Sequence, residues 1–97
     1  MAVKIAGKNV DIGQALRSRI EAAVAETVSK YFDRGYSGQV TVSKNGRTFE
    51  TDVVLHIDSG RVFEASGSHD DAHASFEQAA ERLDKQLRRY KRRLKDH

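Results

Sequence analysis

The chain reads as an α+β domain in the order strand, helix, three strands, helix, with two helices packed on one face of a four-stranded sheet. Three observations carry this. An apolar stripe of helical period runs from Gln14 to about Asp33, and a second runs from about Asp70 to Lys95. Between them, strictly alternating residues are broken by Asn45-Gly46 and Asp58-Ser59-Gly60, two tight-turn signals that predict an antiparallel meander. No proline, repeat or low-complexity tract interrupts the 97 residues, so residues 1–97 are expected to form a single domain.

Each element has its own local cause. Ala2 to Lys8 alternates, with Val3 and Ile5 on one side and Lys4 and Lys8 on the other, a strand buried on one face. Asn9 to Gly13 turns the chain into the first helix, with Gly13 as a weak N-cap. Leu16, Ile20, Val24, Thr27, Val28 and Tyr31 form its buried stripe. Gly35 stands where a left-handed residue would stop the helix. Val40 and Val42 mark the second strand, and Asn45-Gly46 is expected to turn it, since both residues tolerate positive φ. The third strand spans about Thr48 to Ile57, with Phe49, Thr51, Val53, Leu55 and Ile57 inward and Glu50, Asp52 and His56 toward water. The fourth runs from Val62 to Ser66. In the last helix Phe76, Ala80, Leu83, Leu87, Tyr90 and Leu94 form one narrow seam. A helix of that length measures roughly 39 Å. A strand of eight residues covers about 27 Å, so the final turns should overhang the sheet.

Charge supplies the best functional clue. Lys85, Arg88, Arg89, Lys91, Arg92, Arg93 and Lys95 fall within eleven residues, with no acid among them. The whole chain has 17 basic and 14 acidic residues, so without this block ten basic residues face 14 acidic ones. Such segregation creates a field suited to a polyanion, nucleic acid above all. At 100° per residue Lys85, Arg89 and Arg92 lie opposite the seam, with Arg82, Arg88 and Arg93 on its flanks. Cations at a helix C-terminus also suit the macrodipole, but that effect is confined to about the last turn. Repulsion at spacings of three and four costs a few tenths of a kcal/mol per pair, so the stripe is better explained by a partner than by stability.

Other chemistries fare poorly. The chain has no cysteine, which excludes disulfides and thiolate chemistry. His69-Asp70-Asp71-Ala72-His73 imitates a zincin helix, but Asp70 replaces the general-base glutamate and no third ligand is evident, so no metal site is expected. Gly35-Tyr36-Ser37-Gly38 lacks the spacing of a nucleophile elbow. Glu50 and Asp52 read as solubilising edge charges rather than an acid/base pair. No catalytic constellation or cofactor motif is present, and a non-enzymatic role is expected. The basic helix has no apolar face left for lipid once it covers the sheet, and no stretch approaches the roughly 20 apolar residues of a membrane span. With no signal peptide at Met1 to Ile5, the expectation is a soluble cytoplasmic protein, monomeric because its exposed helix face carries like charge.

The details resemble the ribosome hibernation-promoting factors, or ribosome-associated translation inhibitors. The residues that carry the resemblance are Ile5-Ala6-Gly7-Lys8-Asn9-Val10-Asp11 with Ala15-Leu16, then Val53-Val54-Leu55-His56-Ile57. The last helix is closest, in Leu83-Asp84-Lys85-Gln86-Leu87 and Lys91-Arg92-Arg93-Leu94-Lys95-Asp96-His97. The chain departs from the family pattern within Asp71-Ala72-His73-Ala74-Ser75-Phe76-Glu77 and at Gly13, where a threonine cap is common. The resemblance implies binding to rRNA of the small ribosomal subunit, in the channel for tRNA and mRNA, with translation inhibited under stress or in stationary phase. Its implied RNA contacts are Lys85, Arg88, Arg89, Lys91, Arg92, Arg93, Lys95 and Arg82, and in addition Lys4, Lys8, Arg17 and Lys30. It also implies a short form, or the N-terminal domain of a long form. The alternative is a double-stranded RNA-binding module, which shares the helix–three strands–helix order. Such modules place lysines at the start of the second helix, where this chain has Asp70, Asp71 and Glu77.

Overall fold

The computed structural model describes residues 2–32 and 35–95. The elements are β1 (Ala2–Lys8), α1 (Gln14–Tyr31), β2 (Tyr36–Asn45), β3 (Thr48–Ile57), β4 (Val62–His69) and α2 (Ala72–Lys95). The sheet order is β1-β2-β3-β4. β1 and β2 are parallel, which requires the crossover that α1 provides, and the other pairs are antiparallel. Both helices therefore run in the same sense, and their C-termini lie at the same end of the molecule.

Alternation decides the sheet's two faces. Val40, Val42, Thr51, Val53, Leu55 and Phe63 are buried toward the helices. Lys4, Lys8, Glu50, Asp52 and Glu64 are exposed on the open face. α1 contributes Leu16, Ile20, Val24 and Val28 to the core, and α2 contributes Phe76, Ala79, Leu83 and Leu87. Thr51 is the polar residue of the inward set on β3. Its hydroxyl pairs with that of Ser75 at 2.7 Å, and Ser75 also bonds the carbonyl of Ala72 at 2.8 Å, so both buried hydroxyls are satisfied. At the same contact a Cβ on Gly67 would stand 2.3 Å from the Ser75 carbonyl oxygen and 2.8 Å from the Ala79 nitrogen. Only glycine lets α2 press this closely on β4.

A row of side chains binds α2 to the outer edge of β4. Gln78 accepts the Ser68 N–H at 3.2 Å, Arg82 donates to the Ser66 carbonyl at 2.7 Å, and Gln86 donates to the Glu64 carbonyl at 2.7 Å. Four helical residues rise about 6.0 Å and two strand residues about 6.8 Å, so the repeats match. An edge strand that would otherwise offer free backbone groups is thereby covered.

Four expectations need correction. α1 ends at Tyr31 without a left-handed glycine: Phe32 is extended at φ −138°, its N–H bonds the Val28 carbonyl, and Gly35 is not among the positive-φ residues. The β2–β3 turn is Gly46-Arg47, one residue later than expected, because Asn45 pairs with Thr48. Gly46 has φ +63° and Arg47 is not positive, as in a II′ hairpin, whose first central residue is glycine. β4 runs on to His69, since Phe49 pairs with it. Leu94 is 52% exposed, while Ala79, outside the expected seam, is fully buried. The register set by the Gln78–Arg82–Gln86 row brings Tyr90 level with Val62, the first residue of β4. Residues 91–95 therefore overhang the sheet, and Leu94 has no strand beneath it.

Candidate nucleic-acid interface

α2 starts where Asp71 caps it, its carboxylate accepting the Ala74 N–H at 2.9 Å. His69 is engaged in the same turn, its Nδ1 accepting the Asp71 N–H at 3.1 Å. Because Phe76, Ala79, Leu83 and Leu87 all point into the core, the helix cannot rotate without exposing them. That fixes the direction of every cation along it. Lys85, Arg88, Arg89 and Arg92 line one shallow depression on the solvent side, with Arg93 exposed beside them. Lys85 also lies 3.5 Å from Glu81 one turn earlier, a pair exposed enough to contribute little.

The remaining candidates are placed differently. Arg82 holds the β4 edge. Lys91 donates to the Tyr31 carbonyl at 2.7 Å, and its ammonium lies 5.5 Å from the centre of the Phe32 ring. That carbonyl is one of the last of α1, which no helical N–H can reach, so Lys91 acts as a cap supplied by the other helix. Lys30 pairs with Asp84 across the helix–helix contact, and Tyr31 donates to the same carboxylate at 3.1 Å. Burial pushes the Asp84 carboxyl up, but hydrogen bonds from Lys30 and Tyr31 outweigh it and hold the group below the usual carboxylate range. Burial, then the Asp84 contact, raises the Tyr31 hydroxyl. Nearer the helix starts Arg19 grips Glu77 with two bonds of 2.7 and 2.9 Å, and this hydrogen bonding lowers the Glu77 carboxyl. Arg17 is half-buried, with a long 3.5 Å contact to the Ile5 carbonyl. Lys4 and Lys8 stand on the open face at the far edge from α2. The side chain of Lys95 lies outside the described residues.

The candidate set thus divides. Lys85, Arg88, Arg89, Arg92 and Arg93 share one surface and face solvent. Arg82, Lys91 and Lys30 hold the fold together, and Lys4 and Lys8 belong to another surface. Outside the expected set, Arg61 lies in the turn before β4 with its guanidinium 5.7 Å from the Phe63 ring centre and 5.3 Å from that of Tyr90. A lone arginine in a turn has no periodicity to announce it. The one signal is that Arg61 directly precedes the strand whose start faces the basic half of α2. The open face near β3 and β4 carries Glu50, Asp52 and Glu64, so a polyanion meets attraction on the α2 side and repulsion there.

Comparison with known proteins agrees with this architecture. The chain is 48% identical over 97 residues to the ribosome hibernation promotion factor of Rhizobium meliloti (strain 1021), covering all of this chain and 51% of that protein. It is 33% identical to the ribosome hibernation promoting factor of Escherichia coli (strain K12) over the full length of both. The chain spans about half the length of the Rhizobium protein. The Thermus thermophilus Protein Y N-terminal domain has the same fold, with a TM-score of 0.84 at 24% identity over 93% of this chain and 99% of that one. Residues 3–95 match the model of the sigma 54 modulation protein / S30EA ribosomal protein family, and the chain belongs to that family.

Proposed function

We propose that this chain is a ribosome hibernation factor that binds rRNA of the small ribosomal subunit in the tRNA/mRNA channel and inhibits translation. The observation that carries the reading is the convergence of Lys85, Arg88, Arg89 and Arg92 on one outward depression of a helix whose opposite side is locked in the core. The relatives' names supply the ribosome as partner, and the charge supplies the means. Arginine forks suit phosphate oxygens, and phosphate contact fixes position without reading sequence. Lys4 and Lys8, on the opposite face, would engage only RNA that approaches from a second side. No described helix is long and apolar enough to cross a membrane.

The test is a triple charge reversal. Lys85, Arg89 and Arg92 changed together to Glu should abolish cosedimentation with small subunits and inhibition in cell-free translation. The fold should survive, since exposed substitutions usually change stability by about 0.5 kcal/mol or less each. A folded variant that still binds and inhibits would refute the proposal.

A further inference from the structure

We infer that Arg61 is a second-element RNA contact, extending the basic surface from α2 onto the β3–β4 turn. The inference rests on the RNA-binding reading above. α2 overhangs the sheet beyond Tyr90, and Arg61 sits at the point where the overhang begins, its guanidinium over the rings of Tyr90 and Phe63. Those rings are themselves locked together. Phe63 is buried and meets Tyr90 edge-on with centroids 5.4 Å apart, and Phe32 meets Tyr90 from another side at 6.0 Å. The platform is therefore rigid, anchored by β4, by α2 and by the end of α1.

A guanidinium held over aromatic rings spends no N–H donor on a carboxylate or carbonyl there, so its donors stay available for a partner. Among the described residues the Arg61 side chain makes no ion pair or hydrogen bond, its backbone carbonyl alone accepting the Ile57 N–H at 3.1 Å, and the residue is exposed. The other cations at this end of the molecule on known duty differ in that respect, since Lys91 caps α1 and Lys30 holds Asp84. An arginine held in place but unpaired loses little side-chain freedom on binding, which favours a phosphate contact over a mobile surface charge. The ligand class is an RNA phosphate beside the one engaged by exposed Arg93, which stands three residues beyond Tyr90 and so next to it on the α2 surface. A contact from a second element also fixes rotation about the α2 axis, which a single stripe of cations leaves loosely determined.

Cosedimentation with small ribosomal subunits across a salt series tests this, with far-UV circular dichroism confirming the fold of each variant. Arg61→Gln should bind about tenfold more weakly at moderate salt. Its log–log salt slope should be shallower by about 0.9, the loss of one phosphate contact. Arg61→Lys should recover the slope but not the full affinity, because an ammonium has the charge without the planar fork. Binding of Arg61→Gln equal to that of the intact chain overturns the inference alone, and so does full affinity in Arg61→Lys, which would leave the rings without a role. Failure of the intact chain to bind in a salt-dependent way overturns this inference together with the wider functional reading.

Discussion

Lys91 Nζ donates to the carbonyl oxygen of Tyr31 at 2.7 Å, so the basic helix caps the end of the helix beside it. The two helices run in the same sense, and both present the negative ends of their dipoles here. A cation at this position serves the fold first. Lys91→Met, which keeps the stem over Phe32 and removes the donor, should cost about 1 kcal/mol in chemical denaturation. The salt slope of RNA binding should stay as it was. A stability that is unchanged, together with a slope shallower by about 0.9, would show that Lys91 contacts phosphate instead.

The contact between α2 and the sheet should be intolerant of volume in one direction and of cavities in the other. Gly67→Ala places a methyl within 2.3 Å of the Ser75 carbonyl oxygen, which belongs to the backbone and cannot swing aside. The expected loss is about 1–3 kcal/mol, and Leu87→Ala should lose about 2–5 kcal/mol by emptying a core site. Gly13→Ser is the counterpart. Gly13 has ordinary extended backbone, open space around its Cβ position and no side-chain cap bond, so serine should gain a few tenths of a kcal/mol. Urea midpoints of the three variants check the order, and a Gly67→Ala protein as stable as the parent would contradict the packing described.

Acid should loosen the helix pair at Asp84. Its carboxyl titrates below the usual range in the fold, since hydrogen bonds from Lys30 and Tyr31 overcome the effect of burial. The stability this contributes is present above the unfolded carboxylate value near pH 4 and is lost as pH falls through the lower folded value. Asp84→Asn should therefore be less stable than the intact chain at neutral pH, with the gap closing in acid. Denaturation midpoints of both proteins between about pH 6 and pH 2.5 measure it. A gap that stays constant over that range would contradict the assignment.

Much of the fold was legible in the sequence because burial on one face leaves a period. β3 matches its expected bounds from Thr48 to Ile57, with the inward and outward sets as read. β1 does so as well. Periodicity is silent about where the opposing surface stops, so it places Leu94 in a seam although no sheet lies beneath it. It is equally silent about the hairpin register. Moving the turn from Asn45-Gly46 to Gly46-Arg47 keeps every β2 residue on its own side, so alternation cannot separate the two. The direction of Lys85, Arg89 and Arg92 was legible for the same reason as the seam. Which cations are tied within the fold was not, because the partners of Lys30, Arg82 and Lys91 lie on other elements, up to 60 residues away in the chain. Arg61 depends on rings brought together by three elements and left no local trace.

The central claim concerns a phosphate-binding surface on α2, and the salt dependence of binding to isolated ribosomal subunits tests it most directly. With seven contacts, as the sequence block suggests, the log–log slope would be about −5 to −6. The structure leaves Lys85, Arg88, Arg89, Arg92 and Arg93 facing solvent on one surface, and contacts by these alone give about −3.5 to −4.5, steepened by about one more if Arg61 joins them. A slope in that interval, with binding confined to the small subunit, is the expected result. A slope near zero, or equal binding to both isolated subunits, would contradict the account.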